Sequence, residues 1–250
     1  MIISDEAIVL RNTDFRETSL ITRAYSKEYG KISLLSKGIK SPKKNLISII
    51  QPLSRISIEY YMKSNTSLYL LKEATTIQSN IKLRSKFNNI LYGQCVIEIV
   101  DKATLASSAD PILYRLLRRT LDKLADLEIS PIILFQFFQV QLIKRAGFMM
   151  ALSRCHVCDS LFDTAYFDFV AGELCCMQCK KDTSSFMIDN RCLKYIRVLR
   201  DTNINDLGQY YNLNKNYTMK IINKFLDIYM TFHINGMQNL RVLNRIRLNE

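Results

Sequence analysis

Glycine is scarce in this chain, with 7 in 250 residues, and proline scarcer still, with 4. These shortages exclude collagen-like, linker-rich and disordered architectures. They also leave no glycine-rich loop of the kind that cradles phosphates, and no nucleophile elbow is present. Histidine occurs only at His156 and His233, and neither has an acid–base partner that the sequence reveals. The chain therefore reads as a binding protein and not an enzyme. No apolar stretch approaches the roughly 20 residues of a membrane-spanning helix. The longest, from Ile132 to Val140, is broken by Gln136 and Gln139. The opening residues, Met1-Ile2-Ile3-Ser4-Asp5-Glu6, lack the basic region and apolar run of a signal peptide. The expectation is a cytoplasmic protein with no membrane partner.

Acidic residues are also in deficit. Asp and Glu number 23 against 35 Lys and Arg, giving a net charge of +12. Such an excess attracts polyanions, nucleic acid first and an anionic membrane surface second. With 48% hydrophobic residues the chain can still bury a core, as one large domain or two smaller ones.

Residues 1–79 alternate apolar and polar side chains with period two, which predicts strands. Ile8 and Leu10 alternate with Val9 and Arg11, and Leu20, Thr22 and Ala24 with Ile21, Arg23 and Tyr25. Lys27-Glu28-Tyr29-Gly30 is a turn, and strands follow over 31–37, 54–62 and 67–73, with a polar loop over 38–50. Five short strands with one long connection predict a small closed barrel of the OB type; an SH3-like barrel fits the count nearly as well. From residue 80 the period becomes helical. Helices are expected over 83–104, from the Asp110-Pro111 start signal, from Ser130-Pro131 to Gly147, over 188–200 and over 217–234. The reading is an α+β chain: an OB-type nucleic-acid-binding domain at 1–79 and a helical domain at 80–250, with a cysteine knuckle inserted at 154–181. The tail over 240–248 is basic and apolar by turns.

The seven cysteines include two Cys-x-x-Cys pairs, Cys155/Cys158 and Cys176/Cys179, with 17 residues between them. Each two-residue gap turns two sulfurs toward one centre, and four thiolates at about 2.3 Å suit one structural Zn²⁺ with no open position. An odd cysteine count in a reducing compartment disfavours a disulfide framework. A redox dithiol would need only one pair. Cys175 competes with Cys176 as ligand, although Cys176 restores the two-residue gap. His156, between the first two ligands, is expected to point outward. Cys95 and Cys192 lie in helical patterns and read as plain buried residues.

A stretch from 31 to 45 holds Lys31, Lys37, Lys40, Lys43 and Lys44 with no acid. On a barrel that also carries Arg11, Arg23 and Arg55, these lysines would neutralise phosphates without reading bases. Tyr25, Tyr29, Tyr60, Tyr61 and Tyr69 supply rings either for stacking or for the barrel core. A solvated loop explains the lysines alone equally well. Arg115, Arg118 and Arg119 fall on the polar side of their helix.

Several of these stretches together resemble the RecO family of bacterial recombination and repair proteins. They are Glu6-Ala7-Ile8-Val9-Leu10-Arg11, Glu17-Thr18-Ser19-Leu20-Ile21-Thr22, Gly30-Lys31-Ile32-Ser33, Lys37-Gly38 and Gln51-Pro52-Leu53. The cysteine pairs, Tyr166-Phe167-Asp168 and Gly172-Glu173-Leu174 resemble that family's zinc knuckle. Ala171 stands where the family usually has a second glycine. The resemblance implies an OB fold joined to a helical domain with a zinc site. It implies a mediator of DNA repair and homologous recombination that binds single- and double-stranded DNA and anneals complementary strands. It further implies partnership with RecR, and often RecF, in loading RecA onto DNA coated by single-strand-binding protein, whose C-terminal tail would dock on the helical domain. The rival reading is a zinc-containing regulator that binds particular nucleic-acid sequences or structures.

Overall fold

In the computed structural model, residues 1–39, 46–63, 66–148, 150–181, 185–213 and 216–240 are described. Five strands form the first half: β1 (Ile2–Phe15), β2 (Ser19–Ser26), β3 (Gly30–Ser36), β4 (Arg55–Tyr61) and β5 (Leu68–Gln78). They close into a barrel in the order β1-β2-β3-β5-β4, sealed by a parallel β3–β5 pair. A short helix, α1 (Leu46–Ile49), lies in the β3–β4 connection. This is the OB-type barrel that the strand count predicted. Alternation supplies its core: every second residue of β3 and β4 is buried, among them Ile32, Leu34, Ile56, Ile58 and Tyr60.

β1 departs from simple alternation. Ala7, Ile8, Val9 and Leu10 are all buried. The barrel covers one face, and α2 (Phe87–Ala103) packs against the strand as well. α3 (Pro111–Asp126) packs on α2, and its start is capped as expected: the Asp110 carboxylate accepts from the N–H groups of Ile112 and Leu113, both at 3.0 Å. At the β2–β3 turn, Gly30 has φ +67° and its hydrogen faces the Ser108 carbonyl; a Cβ there would lie 2.1 Å from that oxygen.

By compactness the chain falls into two units, residues 1–127 with 239–250, and residues 128–238. The strand-to-helix change at 79/80 is a change of secondary structure inside the first unit, because α2 and α3 pack with the barrel. The second unit holds α4 (Pro131–Arg145), α5 (Asn190–Asp201) and α6 (Asn216–His233), which pack on one another. Gln136 and Gln139, the polar breaks in the longest apolar stretch, are fully buried here. The Gln136 amide donates to Asn223 (2.6 Å) and accepts from the Tyr195 hydroxyl (3.1 Å), and the Gln139 amide donates to Asp227 (3.1 Å). Among the described residues no helix is long and apolar enough to cross a membrane.

Between α4 and α5 lies a small antiparallel sheet of order β7-β6-β8, with β6 (Ala165–Asp168), β7 (Glu173–Cys175) and β8 (Ser185–Ile188). Its strands are only three or four residues long, too short for a period-two signal to stand out beside the cysteine pattern.

Candidate metal centre and basic barrel face

Each Cys-x-x-Cys pair sits on its own turn. In the first, the Cys155 N–H donates to the Ser160 carbonyl (2.9 Å) and the Asp159 N–H to the Cys155 carbonyl (2.9 Å), with Asp159 left-handed at φ 57°. The Val157 N–H points at the Cys155 sulfur from 3.4 Å. In the second, the Cys179 N–H donates to the Cys176 carbonyl at 3.2 Å. The β6–β7 hairpin brings the two turns together. Its tip needs one left-handed residue, and Gly172 takes that place at φ +73°. Ala171 does not, so alanine fits where a second glycine was expected. The Asp168 carboxylate holds the tip by accepting from the Val170 and Ala171 N–H groups at 2.8 and 3.2 Å.

The result is four sulfurs, from Cys155, Cys158, Cys176 and Cys179, all within 4.8 Å of one another. A tetrahedron with arms of about 2.3 Å has edges of about 3.8 Å, and the Cys158 and Cys176 sulfurs are 3.8 Å apart. The donor set fits a metal ion. Burial pushes the Cys155 thiol up, but the N–H groups of Cys158, Cys176 and Val157 together outweigh it and hold the thiol low. The Cys179 N–H helps bring Cys176 down to about 6. Cys179 rises to about 12, because its proton bridges to the Cys158 and Cys176 sulfurs. Four sulfurs this close form a cluster in which a divalent cation can replace protons.

Cys175 is excluded from the quartet. Strand alternation on β7 turns its thiol away toward the Tyr166 carbonyl, 3.4 Å off, and burial raises its pKa. Cys95 and Cys192 are buried in helices, as expected. His156 stays outside the quartet and is exposed, as expected; its ring lies 3.6 Å from the Asp168 carboxylate, which Lys181 also approaches at 3.7 Å.

On the barrel, the cations Arg11, Arg23 and Lys31 converge on one carboxylate, Asp101 near the end of α2. Arg11 reaches it at 2.9 Å and Arg23 at 3.2 Å, while the Lys31 ammonium is 3.8 Å from it. Lys31 also donates to the carbonyls of Asp101 (2.6 Å) and Thr104 (2.5 Å), closing the C-terminus of α2. Burial lowers its pKa and Asp101 works against that. Lys31 is thus engaged inside the fold, whereas Arg11 and Arg23 remain 51% and 35% exposed. Nothing in the composition singled out Asp101, one of two acids on α2 with Glu98.

Lys37 is exposed and lines a groove of about 790 Å³ with Phe15, Arg16, Glu17, Leu35 and Gly38. Lys40, Lys43 and Lys44 lie outside the described residues, as does the tail beyond residue 240. Of these five tyrosines, Tyr60 and Tyr69 are barrel interior and Tyr29 packs against that core; Tyr25 is buried on the opposite face of β2 from the core residue Ala24, and Tyr61 is exposed. Arg115 and Arg119 lie on the exposed side of α3.

Residues 1–80 match the family described as Recombination protein O N terminal, and residues 84–238 the one described as Recombination protein O C terminal. A "DNA repair protein RecO" of Bacillus cytotoxicus is 26% identical over 249 residues, covering 97% of this chain and 98% of the relative. Those of Bacillus mycoides and Bacillus cereus are 25% and 24% identical over 246 residues, with the same coverage. With both halves matched in order, and with the barrel and four-cysteine cluster in place, the chain belongs to the RecO family of DNA repair and recombination proteins.

Proposed function

We propose that the chain is a stoichiometric, non-enzymatic mediator that binds single- and double-stranded DNA, anneals complementary strands and works in the bacterial cytoplasm at the nucleoid. The observation that carries this reading is the cationic outer face of β1–β3 on an OB-type barrel within a RecO-family chain. Arg11, Arg23 and Lys37, with Lys40, Lys43 and Lys44, supply charge against phosphates; Lys31 contributes to the field while anchoring α2. Neutralising two strands at once lowers their repulsion and speeds pairing. Cys155, Cys158, Cys176 and Cys179 hold one structural Zn²⁺, which ties the two turns of the knuckle together when bound. The barrel over 1–79 is the DNA module, and the helical part over 80–250 offers surface for RecR, RecF and the tail of single-strand-binding protein in loading RecA.

Strand annealing measured with and without single-strand-binding protein tests this. Faster annealing in both is expected, with affinity for DNA falling at least about tenfold between 50 and 200 mM salt, since several phosphates release counterions. Flat salt dependence, or sharp preference for one sequence over random strands, would favour the regulator instead.

A further inference from the structure

The outward side chains of the barrel fall into bands set by strand register. Thr13 on β1 pairs with Ile21 on β2, Ile21 with Leu35 on β3, Leu35 with Leu70 on β5, and Leu70 with Tyr61 on β4. Neighbouring strands are about 4.8 Å apart, so Ile21, Leu35, Leu70 and Tyr61 form one continuous apolar row. None of the four belongs to the buried core cluster; Leu70 and Tyr61 are 36% and 38% exposed. A solvated sheet face is normally polar, and contiguous exposed apolar area marks a binding surface.

Cations flank the β1–β3 half of the row on both sides, while beside Leu70 and Tyr61 Lys72 is paired with Glu59 at 2.7 Å. Two residues along the strands in one direction stand Arg11 and Arg23, which are register partners of each other. In the other direction stand Lys37 and, at the β1–β2 turn, Arg16. Arg16 adopts a left-handed backbone, φ 55°, and its guanidinium lies 5.3 Å from the Phe15 ring centroid. A non-glycine residue in that conformation is uncommon, and here it sets a cation and an aromatic ring side by side at the mouth of the groove. An apolar strip between two cationic edges complements a ligand with flat apolar faces and a line of negative charge. A single nucleic-acid strand has both, whereas a duplex offers phosphates and hides its base faces.

We propose that the Ile21–Leu35–Leu70–Tyr61 row is a base-contacting track for single-stranded DNA, with phosphates on the flanking cations. This rests on the reading of the barrel as the DNA module and adds to it a preference for unpaired bases. Glu17 lines the same groove and opposes an anion there, so Glu17→Gln is expected to strengthen single-strand binding.

Binding of the full chain to three probes of equal length tests the track: an ordinary single strand, an abasic single strand and a duplex. The abasic strand is expected to bind about tenfold more weakly than the ordinary one, because base contacts are lost while phosphate contacts stay. Tyr61→Ser with Leu70→Ser is expected to bring the ordinary strand down to the abasic level. The same variant should leave duplex affinity and the salt slope unchanged. Arg16→Gln with Lys37→Gln should instead weaken every probe and flatten the slope. Equal affinity of the wild type for ordinary and abasic strands overturns the track. So does full single-strand affinity in a Tyr61/Leu70 variant of unchanged melting temperature, an outcome that would assign the row to a protein partner. If the wild type binds none of the probes, the DNA reading of the barrel falls as well.

Discussion

Cys175 and Cys176 are adjacent, yet the first thiol faces the Tyr166 carbonyl inside the small sheet and the second joins the sulfur quartet. The spacing of the two Cys-x-x-Cys pairs made the quartet legible, because a two-residue gap is what one turn needs to aim two sulfurs at one point. The choice between neighbours was settled by where β7 ends. Cys176→Ser is therefore expected to lose most of its bound zinc, while Cys175→Ser keeps one equivalent. Metal analysis of the purified variants checks this, and a fully loaded Cys176→Ser would move the ligand to Cys175. Gly172 is a second residue fixed by geometry. A Cβ there would lie 2.1 Å from the Phe232 ring, at a φ of +73°. Gly172→Ala should destabilise by at least about 1–2 kcal/mol from the backbone alone, visible in denaturant unfolding. An unchanged midpoint would mean that the hairpin tip can be rebuilt.

At the scale of elements, the contact of α2 with the barrel rests on Asp101 together with apolar packing. Lys31 and Asp101 are largely buried, so removing the carboxylate leaves the ammonium with its two carbonyl partners but without its counter-charge. Breaking a fully buried pair costs roughly 3–5 kcal/mol. Arg11 and Arg23 are partly in water and can re-solvate, which brings the expected loss for Asp101→Ala to about 2–3 kcal/mol. Thermal unfolding measures it, and faster hydrogen exchange at the C-terminal end of α2 should accompany the loss. A melting point equal to wild type would make the cluster a surface ornament of the barrel. The strands themselves were readable from period-two patterning. β1 was only half readable, because α2 against it made adjacent residues apolar and blurred the alternation. Lys31 shows the same limit: on a strand it looked like a phosphate ligand, and the approach of a helix end gave it internal partners.

Across the whole molecule, the cationic face and the four-sulfur cluster belong to different units. The cationic face lies in the unit of residues 1–127, and the sulfur quartet in that of 128–238. Chelation is accordingly expected to lower the melting temperature and to speed hydrogen exchange over 154–181, while protection of β1–β5 stays as it was. DNA affinity of a briefly chelated sample should change by less than about threefold if, as proposed, the counterion term belongs to the barrel. A collapse of barrel protection on chelation would overturn this division. The boundary read at 79/80 follows the change from strand to helix. The compact unit runs on to residue 127 because α2 and α3 find their apolar partners around the barrel.

The sequence by itself determined the barrel, the helices after it, the basic balance and the sulfur quartet. Each is written in local spacing: period two, period 3.6, an excess of Lys and Arg, and paired two-residue gaps. Only the tertiary structure decided which cations face outward, which tyrosines fill the core, where Cys175 points, and that an apolar row lies between two charged edges. Those features join residues far apart in the chain, as Arg11, Arg23 and Lys31 are joined by Asp101. No local pattern records such contacts, because they exist only once the barrel has closed and α2 has settled against it.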